Sequence, residues 1–133
     1  MIVVDTNIIA YLYLPTDQTE HAEYLLEREP EWAAPLLWRS EFRNVLTLYL
    51  RKSLISFEDA IKIQLEAESL LKENEYMSNS LDVFRLISNS SCSAYDCEFI
   101  ALAKSQKTKL VTMDRKILAE FPGIAVSIEK FLS

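Results

Sequence analysis

Of the 20 acidic residues in this sequence, four stand where a carboxylate has more to do than face solvent. Asp5 directly follows the β-branched run Ile2, Val3, Val4, and Asp114 comes two positions after a second strand candidate, Lys109-Leu110-Val111-Thr112. Both runs read as strands, so two parallel strands would bring both aspartates to one edge of a sheet. Each aspartate also fits the ordinary role of a helix N-cap. Asp96 lies three residues after Ser93, the spacing of a capping box with Asp in place of Glu or Gln. At 100° per residue it falls on the face of Phe99, Ile100 and Ala103, which directs its carboxylate toward the protein. Glu41 has no capping role available, because it sits inside a helix whose apolar stripe is Trp38, Phe42, Val45, Leu46 and Tyr49. It lies about 60° from the centre of that stripe. A glutamate there is costly to desolvate unless it is paired or metal-bound. The alternatives are an exposed side chain at the edge of the core and an ion pair with Arg39 or Arg43.

Two carboxylates about 5 Å apart repel by roughly 3 kcal/mol at an effective dielectric of 20, and four converging carboxylates multiply the pairs. Only protons or cations relieve such a cluster. The sequence has one histidine, His21, and two cysteines, Cys92 and Cys97, so a metal would have to be held by oxygen. Hard oxygen ligands make Mg²⁺ or Mn²⁺ the expected occupant. Ions held this way polarise a phosphate, activate water and stabilise the leaving oxygen of an in-line displacement. Thr6, Asn7, Asn44, Ser93 and Thr112 stand close to the acids and offer neutral hydrogen bonds to orient carboxylates or waters.

The elements that must position these groups follow from periodicity. A strand at 2–4 passes directly into a helix marked by Ile8, Ile9, Leu12 and Tyr13, and Asp17 opens a second helix to about Arg28. Trp32, Ala33 and Ala34 form a weak strand candidate before the helix of Glu41. Ser56 and Asp59 form a capping box for a long helix carried by Phe57, Ala60, Ile61, Leu65, Leu70 and Leu71. Helices over 81–88 and from Ser93, a strand at 109–112, a short helix from Asp114 and an edge strand at 124–126 complete the chain. Strands separated by helices imply a single domain over 1–133, a three-layer α/β/α sandwich around a mostly parallel sheet. Sites in such folds lie beyond the carboxyl ends of the strands.

The 133 residues suit one domain, and half of them are apolar. The longest apolar run, 8–14, is far short of a membrane span, and no secretion leader is apparent. The lone glycine, Gly123, excludes Gly-rich phosphate loops. Two thiols in a chain of this type suggest a reducing cytoplasm.

The segments Val3-Val4-Asp5-Thr6-Asn7, Ser40-Glu41 with Asn44, Ser93-Ala94-Tyr95-Asp96 followed by Phe99-Ile100-Ala101-Leu102-Ala103, and Leu110-Val111-Thr112-Met113-Asp114 occur in this order over essentially the whole chain. In order and spacing the chain resembles a PIN domain, specifically a VapC-type toxin ribonuclease. The resemblance implies a parallel sheet flanked by helices, with Asp5, Glu41, Asp96 and Asp114 as an acidic quartet around Mg²⁺ or Mn²⁺. It further implies endonucleolytic RNA cleavage by metal-activated water, supported by Thr6, Asn7 or Thr112, in a homodimer inhibited by a cognate antitoxin. A haloacid-dehalogenase-type phosphatase would need a second aspartate where Asn7 stands, and a receiver domain would need paired acids after the first strand.

The net charge of −6 is unevenly spread. Residues 104–116 carry five bases against one acid, and Arg39, Arg43, Arg51 and Lys52 share the helix of Glu41. Proximity to the acids makes Arg39, Arg43, Arg115 and Lys116 candidate contacts for RNA phosphates, the alternative being solvated surface. Segments 17–31 and 58–75 are acidic, which serves solubility. Tyr11, Tyr13, Trp32 and Trp38 lie in apolar-periodic segments and read as core or interface. The competing reading of the whole chain is a PIN-like RNA- or protein-binding module without turnover.

Overall fold

A computed structural model describes all residues, 1–133. Five parallel strands form the sheet: β1 (Ile2–Val4), β2 (Trp32–Pro35), β3 (Glu75–Tyr76), β4 (Leu110–Val111) and β5 (Ala125–Val126), in the order β3-β2-β1-β4-β5. Eight helices surround them: α1 (Thr6–Tyr13), α2 (Thr19–Arg28), α3 (Leu37–Arg51), α4 (Phe57–Leu71), α5 (Ser80–Ser88), α6 (Ala94–Ser105), α7 (Arg115–Glu120) and α8 (Ile128–Leu132). Helix α6 packs on β1, β2 and β4 and carries α5, whereas α1, α3 and α4 pack together, with α3 and α4 against β2. This is the expected α/β/α sandwich, and no helix is long and apolar enough to cross a membrane.

The central strands are short and buried throughout, as a sheet covered on both faces requires. Their register decides where the acids go. Val4 pairs with Val111, and the ladder continues one bond further as Asp5 N donates to the Val111 carbonyl at 3.0 Å. Asp5 and Thr112 therefore leave adjacent strands side by side. Under them lie Trp32, Trp38, Phe42 and Phe99, all with 2% exposure or less.

Three expectations need correction. Helix α2 begins at Thr19, not Asp17, because the Thr19 hydroxyl accepts from Thr16 N and donates to the Leu14 carbonyl, closing the preceding turn. Helix α4 has its capping box, but the face it buries is Ala60, Gln64, Ala67 and Leu71. Phe57, Ile61 and Leu65 stand exposed in a row on the neighbouring face, while the face of Ala60, Gln64, Ala67 and Leu71 meets α3 and β2. Finally, β3 and α8 are additional elements. Glu75 and Tyr76 become a strand by pairing with Ala34 and Pro35, a nonlocal contact that leaves no pattern in a two-residue segment.

Candidate active site

Asp5 is the most constrained of the four acids. It caps α1, its Oδ1 accepting from Thr6 N at 2.8 Å, while Oδ2 accepts from the Thr112 hydroxyl at 2.7 Å. The same Thr112 oxygen accepts from Asp114 N at 3.0 Å, so one buried hydroxyl links two acids. Burial pushes the Asp5 carboxyl up to about 6, with Glu41 and Asp96 adding to the rise and the bonds from Thr112 and Thr6 opposing it.

Helix α3 brings Glu41 to this group. Its Oε1 accepts from the Thr6 hydroxyl at 2.7 Å, and Oε2 takes no hydrogen bond from the protein. Its pKa is raised, first by burial and then by the charges of Asp96 and Glu98, against the bond from Thr6. Glu41 forms no ion pair. Asp96 enters on the first turn of α6, whose N-cap Ser93 accepts from Asp96 N at 3.0 Å. Half-buried, it too is raised, by desolvation and then by Asp114, with Ser93 and Lys116 pulling the other way. Asp114 caps α7 through Oδ1, which accepts from Lys116 N at 2.9 Å and Ile117 N at 3.0 Å, and its Oδ2 is left free. Asp5 and Asp114 thus serve as caps and still belong to one electrostatic cluster.

The supporting residues divide. Thr6, Thr112 and Ser93 bond to the acids or their backbone. Asn7, one residue into α1 from Thr6, has a buried side-chain oxygen with no partner, an acceptor left for a donor from outside the protein. Asn44 is exposed and makes no side-chain hydrogen bond. Among the cations, the Lys116 charge reaches Asp96, Arg115 is exposed, and Arg43 lies 3.9 Å from Glu68. Arg39 is removed from the phosphate-contact set. Its Nε and Nη2 donate to the two Glu75 oxygens at 2.6 and 2.7 Å, and Nη1 donates to Glu68 at 3.1 Å. The Glu75 side chain is only 7% exposed and also accepts from Trp38 Nε1, so this guanidinium neutralises a buried carboxylate inside the fold. Glu98 is a fifth acid near the cluster. It accepts from the Ser78 hydroxyl and its charge raises Glu41, yet it sits two residues past Asp96, roughly 200° around α6, where helical phase hides it.

No three of these side chains converge closely enough to hold an ion as they stand. The donor chemistry nonetheless fits a hard cation: every available ligand is oxygen, three of the acids carry raised pKa values, and Glu41 Oε2 and Asp114 Oδ2 are unengaged. The unpartnered Asn7 oxygen suits an ordered water on such an ion.

Residues 2–123 match the family model described as PIN domain. Ribonuclease VapC3 of Pyrobaculum aerophilum is 30% identical over 126 residues, covering 92% of this chain and 96% of that protein. Among solved structures, a toxin-antitoxin complex from Klebsiella pneumoniae has a TM-score of 0.74 at 20% identity, covering 96% of this chain and 98% of its own. FitAcB from Neisseria gonorrhoeae has a TM-score of 0.76 at 17% identity, covering 97% and 99%. These two likenesses bear on the fold.

Proposed function

Because the chain belongs to the PIN domain family, we propose that it is a metal-dependent endoribonuclease, the toxin of a toxin-antitoxin pair, with Asp5, Glu41, Asp96 and Asp114 as its catalytic quartet. The observation that carries this reading is the linked arrangement of the acids: Thr112 bonds Asp5 and Asp114 N, Thr6 bonds Glu41 and Asp5, and Asp96 raises both Asp5 and Glu41. Mutual repulsion of this kind is stable in a fold only when a bound cation or protons offset it. Mg²⁺ or Mn²⁺ suits the oxygen donors, and when bound it supplies an activated water and charge stabilisation for a phosphoryl transition state. The chain's own residues do the rest. Thr112 fixes the Asp5 carboxylate by one lone pair, Thr6 fixes Glu41 by another, and the helix N-termini behind Asp5, Asp96 and Asp114 hold those backbones rigid. Lys116, whose charge lowers the Asp96 pKa, is a cation available to a substrate phosphate.

The partner is a protein antitoxin, a reading supported by the likeness to the toxin-antitoxin complex from Klebsiella pneumoniae, and the enzyme works as a homodimer on RNA in the cytoplasm, where its two free, buried cysteines stay reduced. The test is cleavage of single-stranded RNA by purified protein with Mg²⁺ or Mn²⁺, with EDTA, and in the Asp96→Asn and Asp114→Asn variants. Cleavage that needs the ion and falls at least a hundredfold in each variant is expected. Tight RNA binding with no cleavage under any ion would overturn the enzyme reading in favour of a binding module.

A further inference from the structure

A groove between α5 and α6 starts at the carboxyl ends of β2 and β3, where Glu98 rather than any of the four acids lines it, and ends at two cations. Its first part, about 140 Å³, touches Pro35 and Tyr76, the last residues of β2 and β3, and passes Ser78 and Glu98. Its second part, about 250 Å³, ends at Arg85, Asn89 and Lys104, and the two share Asp82, Ala101 and Ser105. Neither Arg85 nor Lys104 is paired with a carboxylate, since the ion pairs of the fold use Arg39, Arg43 and the N-terminus. Each cation sits in the last turn of its helix, where it complements the dipole. That role explains one cation on each helix, but not why the two line one cavity.

We propose that this groove carries the RNA strand away from the acidic centre, with a backbone phosphate held between Arg85 and Lys104. The proposal rests on the ribonuclease reading and adds a substrate path to it. A chain of net charge −6 repels a polyanion at long range, so unpaired cations that share one concavity favour a local phosphate contact. The spacing fits. From Glu98, where the groove starts, to Lys104 along α6 is about 9 Å, or about two to three stacked nucleotides at 3.4 Å each. Glu98 at the start of the groove and Asp82 along its length exclude a phosphate and accept a donor, and a ribose 2′-hydroxyl is such a donor. The exposed Met77 at the mouth gives the flanking base an apolar surface.

The experiment measures binding of a short single-stranded RNA by fluorescence anisotropy in EDTA across a salt series, together with steady-state cleavage. The double variant Arg85→Gln/Lys104→Gln is compared with Lys72→Gln/Lys130→Gln, which removes the same charge from exposed positions outside the groove. The groove variant should bind about tenfold more weakly, with the salt slope reduced by about 0.7, the value of one phosphate contact. Its KM for the long RNA should rise while kcat and cleavage of a dinucleotide stay unchanged. A groove variant that behaves like its charge-matched control, in a protein that still cleaves RNA, refutes the track and leaves the ribonuclease reading intact. A wild-type protein that neither binds nor cleaves RNA refutes both.

Discussion

Replacing Asp5 with Asn distinguishes a buried ligand carboxylate from a simple helix cap, because Asn caps a helix as well as Asp does. Asp5 is 8% exposed and its pKa in the fold is about 6 against an ordinary 3.8. A carboxyl raised by folding favours the native state below its unfolded pKa and loses that advantage as pH rises through the folded value. At 1.36 kcal/mol per unit, the metal-free protein therefore carries a penalty of about 3 kcal/mol above pH 6 to 7 that is absent below pH 4. The amide accepts through one oxygen only, so it loses one of the bonds from Thr6 N and the Thr112 hydroxyl, worth about 1 kcal/mol. The expected balance for Asp5→Asn is a gain of about 2 kcal/mol at pH 8 and a loss of about 1 kcal/mol at pH 4. In a chain of this length the gain corresponds to a rise in Tm of about 6–10 °C. Mn²⁺ reverses the order, since ion at a hundred times its Kd stabilises the wild type by about 2.7 kcal/mol and the variant hardly at all. Calorimetry at pH 4, 6 and 8, with and without Mn²⁺, reads all of this. A Tm difference that is constant across pH, with equal Mn²⁺ effects on both proteins, would refute the reasoning.

Thr112→Val keeps the shape but removes the hydroxyl shared by Asp5 and Asp114 N. RNA cleavage and Mn²⁺ affinity should each fall about 10- to 100-fold, measured by initial rates and by titration. Arg39→Gln should leave RNA affinity unchanged but destabilise the fold by about 2–4 kcal/mol in urea unfolding. It strands the buried Glu75, and the low end applies because Arg39 is a third exposed.

The placement of the four acids in the fold was legible because three of them sit at local signals that sequence carries: a strand end at Asp5, another before Asp114, and a Ser93 cap before Asp96. Glu41 was visible as an acid on the shoulder of an apolar stripe with no cap to explain it. What the sequence hid was nonlocal. Arg39 looked like a free cation near the acids, and only the pairing of β3 with β2 brings Glu75 under it. The row of Phe57, Ile61 and Leu65 matches helical periodicity as well as the buried face does, and only the nonlocal contacts of α4 with α3 and β2 decide between them. Glu98 reaches Glu41 from the far side of α6, where its phase relative to Asp96 gave no hint of a shared site.

Titration of Mn²⁺ into the purified protein, followed by the loss of the free-ion electron paramagnetic resonance signal, tests most directly whether the acids form one metal centre. Saturable binding is predicted for the wild type and for Arg115→Gln, and its loss for Asp5→Asn and Asp96→Asn. An isotherm that is the same in all four proteins would contradict the account.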